Sequence, residues 1–382
     1  MLEVETVADE MAFARLREPW NALLELGDGV FLRHEWFDAA WGWARESATL
    51  HVLCVRDSGR LIGIAPLCVR ARMSAVPGIR VLEFLTIPDS PHCDFIARSN
   101  DRERVIECVL EHLRQQPPRC DAIEFARLLE SATALKELQR TAARQGLRLY
   151  ACGVDSELGV KLEGSWEQYY ATRSRRLKKG NNLVANHLKR QYAAIEVERV
   201  DRSAGTEWTE QLIAEVTRIS ANSWKRGTGT TFECAGPGEF LRRWTYAALA
   251  RGWLNIWLLR LDGMAVAAEF QVIDGDTVQA LRADFDVAFD ATSPGTYLNW
   301  QILQQLFDGR RRYYAMGTGH NTYKLRWSNA TRELRGWRLY RCTPHGVLWK
   351  AWEEWLRPKL RWLRQLWQAH ARPTAAVGSG DE

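Results

Sequence analysis

Asn255–Phe270 (NIWLLRLDGMAVAAEF) is the stretch that decides the fold. Two short apolar runs meet at Asp262-Gly263, and an Asp-Gly turn between such runs is a strong signal for a β-hairpin. The same pattern occurs earlier, where His51–Leu67 (HVLCVRDSGRLIGIAPL) turns at Asp57-Ser58-Gly59. One hairpin plan used twice predicts two related halves.

Helical and strand patterns surround both hairpins in a similar order. Helices precede each hairpin, and more strands and a further helix follow it. The patterns predict helices near residues 7–26 and 34–45 in the first half and near 165–190 in the second. Residues 152–164 are polar and contain glycine, which is typical of a linker. We therefore expect an α/β (α+β) fold of two mixed-sheet domains with a groove between them.

The chain length suits this organisation, because 382 residues are too many for one core of ordinary size. The predicted domains are residues 1–152 and 153–345. After Pro344 the sequence becomes rich in tryptophan and basic residues, and we expect an amphipathic helix over 346–371 and a disordered tail over 372–382. One face of that helix is predicted from the spacing of four residues: Leu356, Leu360, Leu363 and Trp367.

Composition points to a globular protein of the cytoplasm. Hydrophobic residues make up 46% of the chain and charged residues 26%, and no uncharged apolar run approaches the roughly 20 residues needed to span a bilayer. The N-terminus is acidic and lacks the pattern of a signal peptide. The net charge of +5 is compatible with an anionic substrate but does not choose among CoA, a nucleotide-linked sugar and tRNA.

Eight cysteines are scattered along the chain without a C-x-x-C pair or a zinc-like spacing to histidine. His92-Cys93-Asp94 is the one cluster of metal-binding residue types. Because adjacent residues of a strand point to opposite faces, the three are poorly placed to share one ion. We expect no metal site.

Two segments of the second half carry the strongest signals for a ligand site. Ser293-Pro294-Gly295 opens a helix, and the free amide groups of such a helix start can hold an anion. We expect Ser293 to cap this helix, and Thr296 to join the site in its first turn. Gly317–Trp327 (GTGHNTYKLRW) then follows a short apolar run, with a two-glycine turn and a lysine beside aromatic rings.

These two segments resemble the C-terminal half of the CelD/BcsL-type acetyltransferases, which are related to the GNAT acyltransferases and the Fem-type peptidyltransferases. The resemblance covers roughly residues 20–345 and implies tandem GNAT-like domains. It also implies that pantetheine lies between splayed strands and pyrophosphate at the helix start formed by Ser293, Gly295 and Thr296. No cofactor is implied to be bound permanently; acyl-CoA or aminoacyl-tRNA is a co-substrate.

The resemblance assigns Lys324 as the residue that stabilises the oxyanion. Fem-type enzymes have a Phe-Lys dipeptide whose lysine does this, and Tyr323-Lys324 matches it in character. A lysine at the edge of a hairpin is the structural alternative. Tyr323 and Trp224 are expected to form walls of the acceptor pocket.

Three residues are candidates for the base. Glu269 is a charged residue on an apolar strand, where burying a charge is costly unless it is paired or functional. Asp284 follows the next strand. Either can accept a proton if burial raises its pKa. A structural salt bridge between Asp284 and Arg282 is the alternative, and His320 in the glycine turn is a third candidate.

One position departs from the family pattern. Family members commonly carry an aspartate two residues before the first glycine of the turn, and this chain has Ala315 there. Either the acid has moved, or the acceptor differs, or activity is lost.

Further candidates come from basic and aromatic segments. Arg175, Arg176 and Lys178 belong to the densest cationic stretch, which is expected to hold phosphates of CoA or a nucleotide sugar, or a tRNA backbone, unless it is a solvated helix face. In the first half, His34 and Asp94 resemble family positions that face the acceptor groove.

The leading hypothesis is an acyltransferase that moves an acyl group from acyl-CoA to an amine or hydroxyl of a cell-envelope polysaccharide precursor or a small metabolite. The alternatives are an aminoacyl-tRNA-dependent transferase and a non-catalytic GNAT-like binding module. Through its C-terminal helix the chain would contact the inner face of the membrane or a partner. Packing of that helix on its own domain is the commoner outcome.

Overall fold

The computed structural model describes residues 1–201, 208–360 and 362–363. They form a mixed α/β fold, which confirms the predicted fold class. The strands are β1 Leu2–Val7, β2 Ala48–Leu50, β3 Val52–Asp57, β4 Arg60–Ala65, β5 Leu67–Arg72, β6 Ile79–Phe84, β7 Ile96–Ala97, β8 Ala122–Leu129, β9 Tyr150–Lys161, β10 Ile195–Val200, β11 Leu254–Leu261, β12 Met264–Asp274, β13 Thr277–Phe285, β14 Tyr313–Thr318 and β15 Ala330–Tyr340. The α-helices are α1 Glu10–Arg15, α2 Arg17–Asn21, α3 His34–Ala44, α4 Arg102–Gln115, α5 Thr133–Arg144, α6 Trp166–Ala171, α7 Arg175–Gln191, α8 Thr209–Ala221, α9 Ala235–Leu249, α10 Pro294–Phe307, α11 Thr322–Trp327 and α12 Pro344–Ala351.

Both predicted hairpins are present, as β3–β4 and β11–β12. The two turn residues of each hairpin have positive φ, 51° at Ser58 and 83° at Gly59, and 47° at Asp262 and 82° at Gly263. Two such residues form a type I′ turn, whose twist matches that of the flanking strands. The repeated hairpin plan read from the sequence is therefore confirmed.

The two halves share one large sheet. Eleven strands run continuously in the order β10-β11-β12-β13-β14-β9-β15-β8-β6-β5-β2, and β1, β3, β4 and β7 form a second sheet of four strands. The two predicted halves are joined within the eleven-stranded sheet, because β15 pairs with β8 on one side and with β9 on the other. Since β9 spans residues 152 and 153, the division into two domains at that point stays a proposal.

The stretch expected to be a linker, residues 152–164, is largely strand β9. Leu158 and Val160 lie within this mostly polar stretch, and their side chains are buried in the core. Gly159 permits a close approach, because a Cβ there would lie 2.2 Å from the hydroxyl oxygen of Tyr313. The strand is exposed or half-buried over residues 153–156 and buried over residues 157–160.

Helices α3 and α9 also join the halves. Trp36 of α3 meets Phe240 and Trp244 of α9 edge to face, with ring centroids 5.5 and 5.1 Å apart, and all three side chains are buried. Such aromatic pairs add to the stability that their burial provides. Sequence patterns missed α9 because Pro237 and two glycines lie in its first turn, where a helix tolerates proline.

Other predicted helices differ in their bounds. The helix expected over 7–26 is the end of β1 followed by the short helices α1 and α2, and the helix expected over 165–190 is divided into α6 and α7. The C-terminal helix is present as α12 and continues through residues 352–360 and 362–363. The rest of the helix predicted to end at residue 371, with Trp367, and the tail at 372–382 lie outside the described residues.

One parallel strand pair positions the site. β13 and β14 pair only at Thr277–Tyr313, Val278–Tyr314 and Gln279–Ala315. Beyond these pairs β13 continues to pair with β12, and β14 continues beside β9. The sheet therefore opens between β13 and β14, and the start of α10 lies at this opening.

Candidate active site

A cavity of about 670 Å³ fills the opening between β13 and β14. Its wall includes Ala280 to Phe285 of β13, Tyr314 and Met316 to Thr318 of β14, the start of α10, and α11. Most of the predicted site residues line this one space. They are Trp224, Glu269, Asp284, Ser293, Gly295, Thr296, Tyr323 and Lys324.

The start of α10 forms one end of the cavity. Ser293 adopts a left-handed conformation, with φ 53° and ψ 51°, and its carbonyl oxygen accepts hydrogen bonds from the amides of Thr296 and Tyr297. Ser293 is the N-cap residue by position, but within the described chain its hydroxyl makes no capping hydrogen bond, which corrects the expected side-chain cap. Gly295 packs closely here, since a Cβ would lie 3.3 Å from the ring of Phe285.

Lys324 lies in α11 and not at the edge of a hairpin. Its side chain is only 7% exposed, and its Nζ donates a hydrogen bond of 2.6 Å to the carbonyl oxygen of Thr318. Burial lowers the pKa of Lys324, and the carboxylates of Glu157, Asp155 and Asp89 partly oppose this. Gly317 and Gly319 both have positive φ, as the predicted two-glycine turn requires, and this turn brings α11 back to the cavity.

Glu269 is a buried carboxyl in a hydrogen-bonded chain. Its Oε1 accepts from the hydroxyl of Tyr314 at 2.6 Å and from Nε2 of Gln271 at 2.7 Å. The Oε1 of Gln271 in turn accepts from the indole of Trp257 at 2.8 Å. Burial raises the pKa of Glu269, and the hydrogen bonds from Tyr314 and Gln271 lower it in part. A carboxyl with a raised pKa is suited to proton transfer near neutral pH.

Asp284 is held by two cations. Its Oδ2 lies 2.7 Å from Nε of Arg282, and its Oδ1 lies 2.7 Å from Nζ of Lys225. The structural salt bridge with Arg282, which we weighed as an alternative, is therefore present. Both carboxylate oxygens of Asp284 are therefore engaged by cations of the protein itself. Glu269 is thus the better-placed base of the two.

A loop of the first half reaches into the cavity, and sequence reasoning missed it. Pro88, Asp89, Ser90 and Pro91 all line the wall. Arg127 fixes this loop through hydrogen bonds to the carbonyl oxygens of Ser90 and Pro88, and its own φ of 62° is unusual for a residue other than glycine. The signal available in the sequence was two prolines flanking an acidic residue, which indicates a rigid turn but no ligand.

Asp89 is the acidic residue that this loop presents. Its Oδ2 lies 3.6 Å from Nη1 of Arg282, which is an ion pair longer than a hydrogen bond. About a third of the side chain remains exposed. The charges of Lys225, Asp284, Arg282 and Asp89 thus alternate in sign along the cavity wall.

His34 lies outside the cavity, which corrects its expected position at the acceptor groove. Its ring packs between those of Phe13 and Trp20, with centroids 4.7 and 5.4 Å away, and its Nε2 is 2.9 Å from the carbonyl oxygen of Phe13. Burial lowers the pKa of His34. This histidine belongs to the packing of α1, α2 and α3.

Asp94 also lies outside the cavity, in the interior of the first half. Its Oδ2 accepts from Arg102 at 3.0 Å and its Oδ1 from the amide of Phe95 at 2.7 Å. Burial raises the pKa of Asp94 to about 6. Both oxygens are engaged within their own half, so the expected acceptor role does not fit this position.

The remaining candidates flank the cavity. His320 is exposed in the glycine turn and does not line the wall, which argues against it as the base. Arg175 and Arg176 are exposed at the start of α7, a helix that packs against α10 and against the turn over 287–292. Lys178 is less available to a ligand, because its Nζ donates a hydrogen bond of 2.8 Å to the carbonyl oxygen of Ala171.

Ala315 does not line the cavity, although its neighbours Tyr314 and Met316 do. Alternate residues of a strand face opposite sides, so an acid at position 315 would not lie beside Lys324 in this wall. Among the described residues no group of three or more His, Cys, Asp or Glu side chains is arranged to hold a metal ion.

A comparison with known protein families finds a match within the second half of the chain. Residues 183–325 match the family model described as an acetyltransferase (GNAT) domain. Over these residues the second half is similar to a GNAT-type acetyltransferase domain. This finding supports the prediction that the chain is an acyltransferase and leaves the donor undetermined. No curated protein sequence matches the chain.

Solved structures share the fold across most of the chain. The crystal structure of FemX has a TM-score of 0.52 at 10% identity, covering 87% of this chain and 96% of its own. The C-terminal domain of a putative lysylphosphatidylglycerol synthetase from Agrobacterium fabrum has a TM-score of 0.52 at 14% identity, covering 88% and 94%. L-PGS from Bacillus licheniformis has a TM-score of 0.51 at 12% identity, covering 87% and 92%. At such identities the likeness is one of fold alone.

Proposed function

We propose that the chain is a CelD/BcsL-type enzyme that transfers an acyl group from acyl-CoA to an amine or hydroxyl of a cell-envelope polysaccharide precursor or a small metabolite. The supporting observation is that one cavity joins three features of different chemistry. These are the start of α10, the buried ammonium of Lys324 and the buried carboxyl of Glu269. Positioning, oxyanion stabilisation and proton removal are what acyl transfer asks of a protein.

Charge and shape support one position for the donor. The phosphates of CoA would lie at the start of α10, where helix amides and the nearby cations Arg175 and Arg176 favour an anion. Its pantetheine arm would follow the opening between β13 and β14 toward Lys324. Asp290 is the one exposed acid of the wall at this end, so it opposes the same ligand.

The reaction then follows from the two buried groups. The acceptor nitrogen or oxygen attacks the thioester carbonyl carbon, and the negative charge that develops on the carbonyl oxygen is stabilised by the ammonium of Lys324. Glu269 takes the proton that the acceptor loses. The tetrahedral adduct collapses by breaking the carbon–sulfur bond, and the CoA thiolate leaves and is protonated.

The acceptor side is proposed to be the loop of the first half. Asp89 is the carboxylate that this loop presents, and its loose pairing with Arg282 leaves it able to bind an ammonium or hydroxyl group. Arg127 holds the loop from behind. The first half would thus contribute to acceptor binding, while the groups that carry out the reaction, Lys324 and Glu269, lie in the second half.

An aminoacyl-tRNA donor is the second candidate, and the composition of α7 favours it. The helix Arg175–Gln191 contains six lysine or arginine residues and no acidic residue. Such a face suits a phosphodiester backbone as well as it suits the phosphates of CoA. The donor therefore has to be decided by binding.

We expect CoA to raise the thermal midpoint of the purified chain, with a shift that shrinks as salt increases. Arg175→Glu/Arg176→Glu should reduce the shift, and Asp290→Asn should enlarge it. Arg60→Glu, at an exposed position of the first hairpin, is the control for reversing a surface arginine away from the cavity and should leave it unchanged. Differential scanning fluorimetry with CoA and with bulk aminoacylated tRNA measures each effect.

The outcomes separate the three hypotheses. The acyl-CoA reaction is supported if CoA raises the thermal midpoint, Arg175→Glu/Arg176→Glu reduces this shift and Asp290→Asn enlarges it. Binding of charged tRNA without any CoA shift would replace it by the aminoacyl-tRNA reaction. A chain that responds to neither ligand would be a binding module.

A further inference from the structure

The C-terminal helix displays an apolar surface. One side of α12 is anchored, because Trp349 is buried against Ile79, Val81 and Ala122 of the sheet. The opposite side and the continuation beyond residue 351 carry large apolar side chains that are half-exposed or more. We call them the terminal apolar face: Leu348, Trp355, Leu356, Leu360, Trp362 and Leu363.

The spacing of these residues makes two adjacent stripes. Trp355 and Trp362 are seven residues apart, and Leu356, Leu360 and Leu363 follow at intervals of four and three, so each set shares one side of a helix. Leu348 precedes the π-helical turn over Trp352–Leu356 and lies beside these stripes at the start of the face. Trp355 is 67% exposed and Trp362 is 59% exposed. A surface helix ordinarily turns polar residues outward, and a contiguous apolar patch marks an interaction site.

Charge decides which partner fits this face. Lys359 lies on the same side as Trp355 and Trp362, four residues after one and three before the other. Glu353 is paired with Arg357, and Glu354 accepts a hydrogen bond from Tyr340. Over residues 348–363 the sequence has four lysine or arginine residues and two glutamates, so the segment keeps a net positive charge toward an anionic surface.

A lysine among tryptophans distinguishes a lipid surface from a protein. The centre of a protein–protein interface is depleted of lysine, because its ammonium would lose water without gaining a partner. At a lipid surface the aliphatic stem of lysine lies among the apolar groups, while the ammonium reaches the headgroups. Tryptophan likewise prefers the boundary between apolar and polar regions.

We propose that the terminal apolar face docks the chain on an anionic lipid surface, with the helix lying in the plane of the interface. This placement does not depend on the proposed transfer reaction. Among the described residues no helix is long and apolar enough to cross a membrane, so the contact would be peripheral.

Co-sedimentation of the full chain with vesicles tests this proposal. We expect binding to vesicles of phosphatidylcholine and phosphatidylglycerol in a two-to-one ratio, weak binding to phosphatidylcholine alone, and release at high salt. Trp355→Ser/Trp362→Ser should weaken binding at least about tenfold. Lys359→Glu should weaken it by about fivefold or more.

Matched controls keep the test specific. Trp208→Ser removes a tryptophan of similar exposure, 58%, and Lys136→Glu reverses an exposed lysine of α5; both should bind as the unmodified chain does. The replaced residues are exposed, so circular dichroism should show unchanged helix content and melting. Because Lys359→Glu keeps the whole apolar face, it tests the proposal even if the double variant folds poorly.

Three results would overturn the proposal. One is equal binding to both kinds of vesicle, and another is binding to neither. The third is a dimer in light scattering that Trp355→Ser/Trp362→Ser converts to monomer without any vesicle binding, which would make a second copy of the chain the occupant of this face.

Discussion

Replacing Lys324 by methionine is expected to lower kcat about 10²–10³-fold while KM changes little. The ammonium is held near the cavity by its hydrogen bond to the carbonyl oxygen of Thr318. It acts on charge that develops only in the transition state, so its loss should appear in kcat. Steady-state kinetics with the donor and acceptor once they are identified, or thioester hydrolysis followed by thiol release before then, measure the effect.

We expect Lys324→Met to lose activity without losing stability. Burial lowers the pKa of Lys324 below 10.5, which means that folding disfavours its charged form. The chain should therefore gain stability as pH rises from the lowered pKa toward 10.5, and Lys324→Met should lack that gain. At neutral pH methionine removes the disfavoured charge, so we expect an unchanged or higher melting temperature.

Arginine is the informative second substitution at this position. Its planar guanidinium is larger than an ammonium and cannot reproduce the same contact with Thr318, so Lys324→Arg should restore activity only in part. Turnover at the level of the unmodified enzyme in Lys324→Met would remove this residue from the mechanism. The transition-state charge would then have to be stabilised by other cavity cations such as Lys225.

The parts of the fold that sequence predicted are those specified by local patterns. The Asp-Gly turn at 262–263 and the helix start at Pro294 follow from backbone preferences of the residues themselves. Strand β9 was not predicted as such, because its place in the sheet depends on β14 and β15, which lie more than 150 residues away. Pairing at that distance leaves no local trace.

In the site, too, some residues could be found from the local sequence and others only from the tertiary fold. Lys324 was found through the resemblance of Tyr323-Lys324 to the Phe-Lys dipeptide of the Fem-type enzymes. Glu269 and Asp284 were found because each is a charged residue on or just after an apolar strand. The choice between Glu269 and Asp284 required the structure, since it depends on Lys225 reaching Asp284 and on Tyr314 reaching Glu269. Asp89 could not be found from its own surroundings, because only the tertiary fold brings its loop to the second half.

Replacing Glu269 by glutamine is expected to lower kcat about 10²–10⁴-fold, the range typical of a lost general base. Glutamine has nearly the same shape, and its Oε1 can still accept the hydrogen bonds from Tyr314 and Gln271. What it cannot do is take a proton from the acceptor. The loss should therefore be one of chemistry, with the cavity intact.

The pH dependence gives this substitution a distinct signature. Burial raises the pKa of Glu269 above 4.5, so the rate of the unmodified enzyme should rise with pH through that raised value, and Glu269→Gln should lack this acidic limb. Ionising a carboxyl whose folded pKa is raised weakens folding. The unmodified chain should thus lose some stability as pH rises through this window, and the glutamine variant should not.

Asp284→Asn is the matched control, because Asp284 is the other candidate base of the cavity and differs from Glu269 in its partners. It would leave Arg282 and Lys225 without their shared carboxylate, and breaking a buried ion pair in this way costs about 3–5 kcal/mol. We expect Asp284→Asn to melt earlier and still show the acidic limb, and Glu269→Gln to melt normally without it. If Glu269→Gln instead keeps both its rate and its acidic limb while Asp284→Asn loses them, Asp284 is the base.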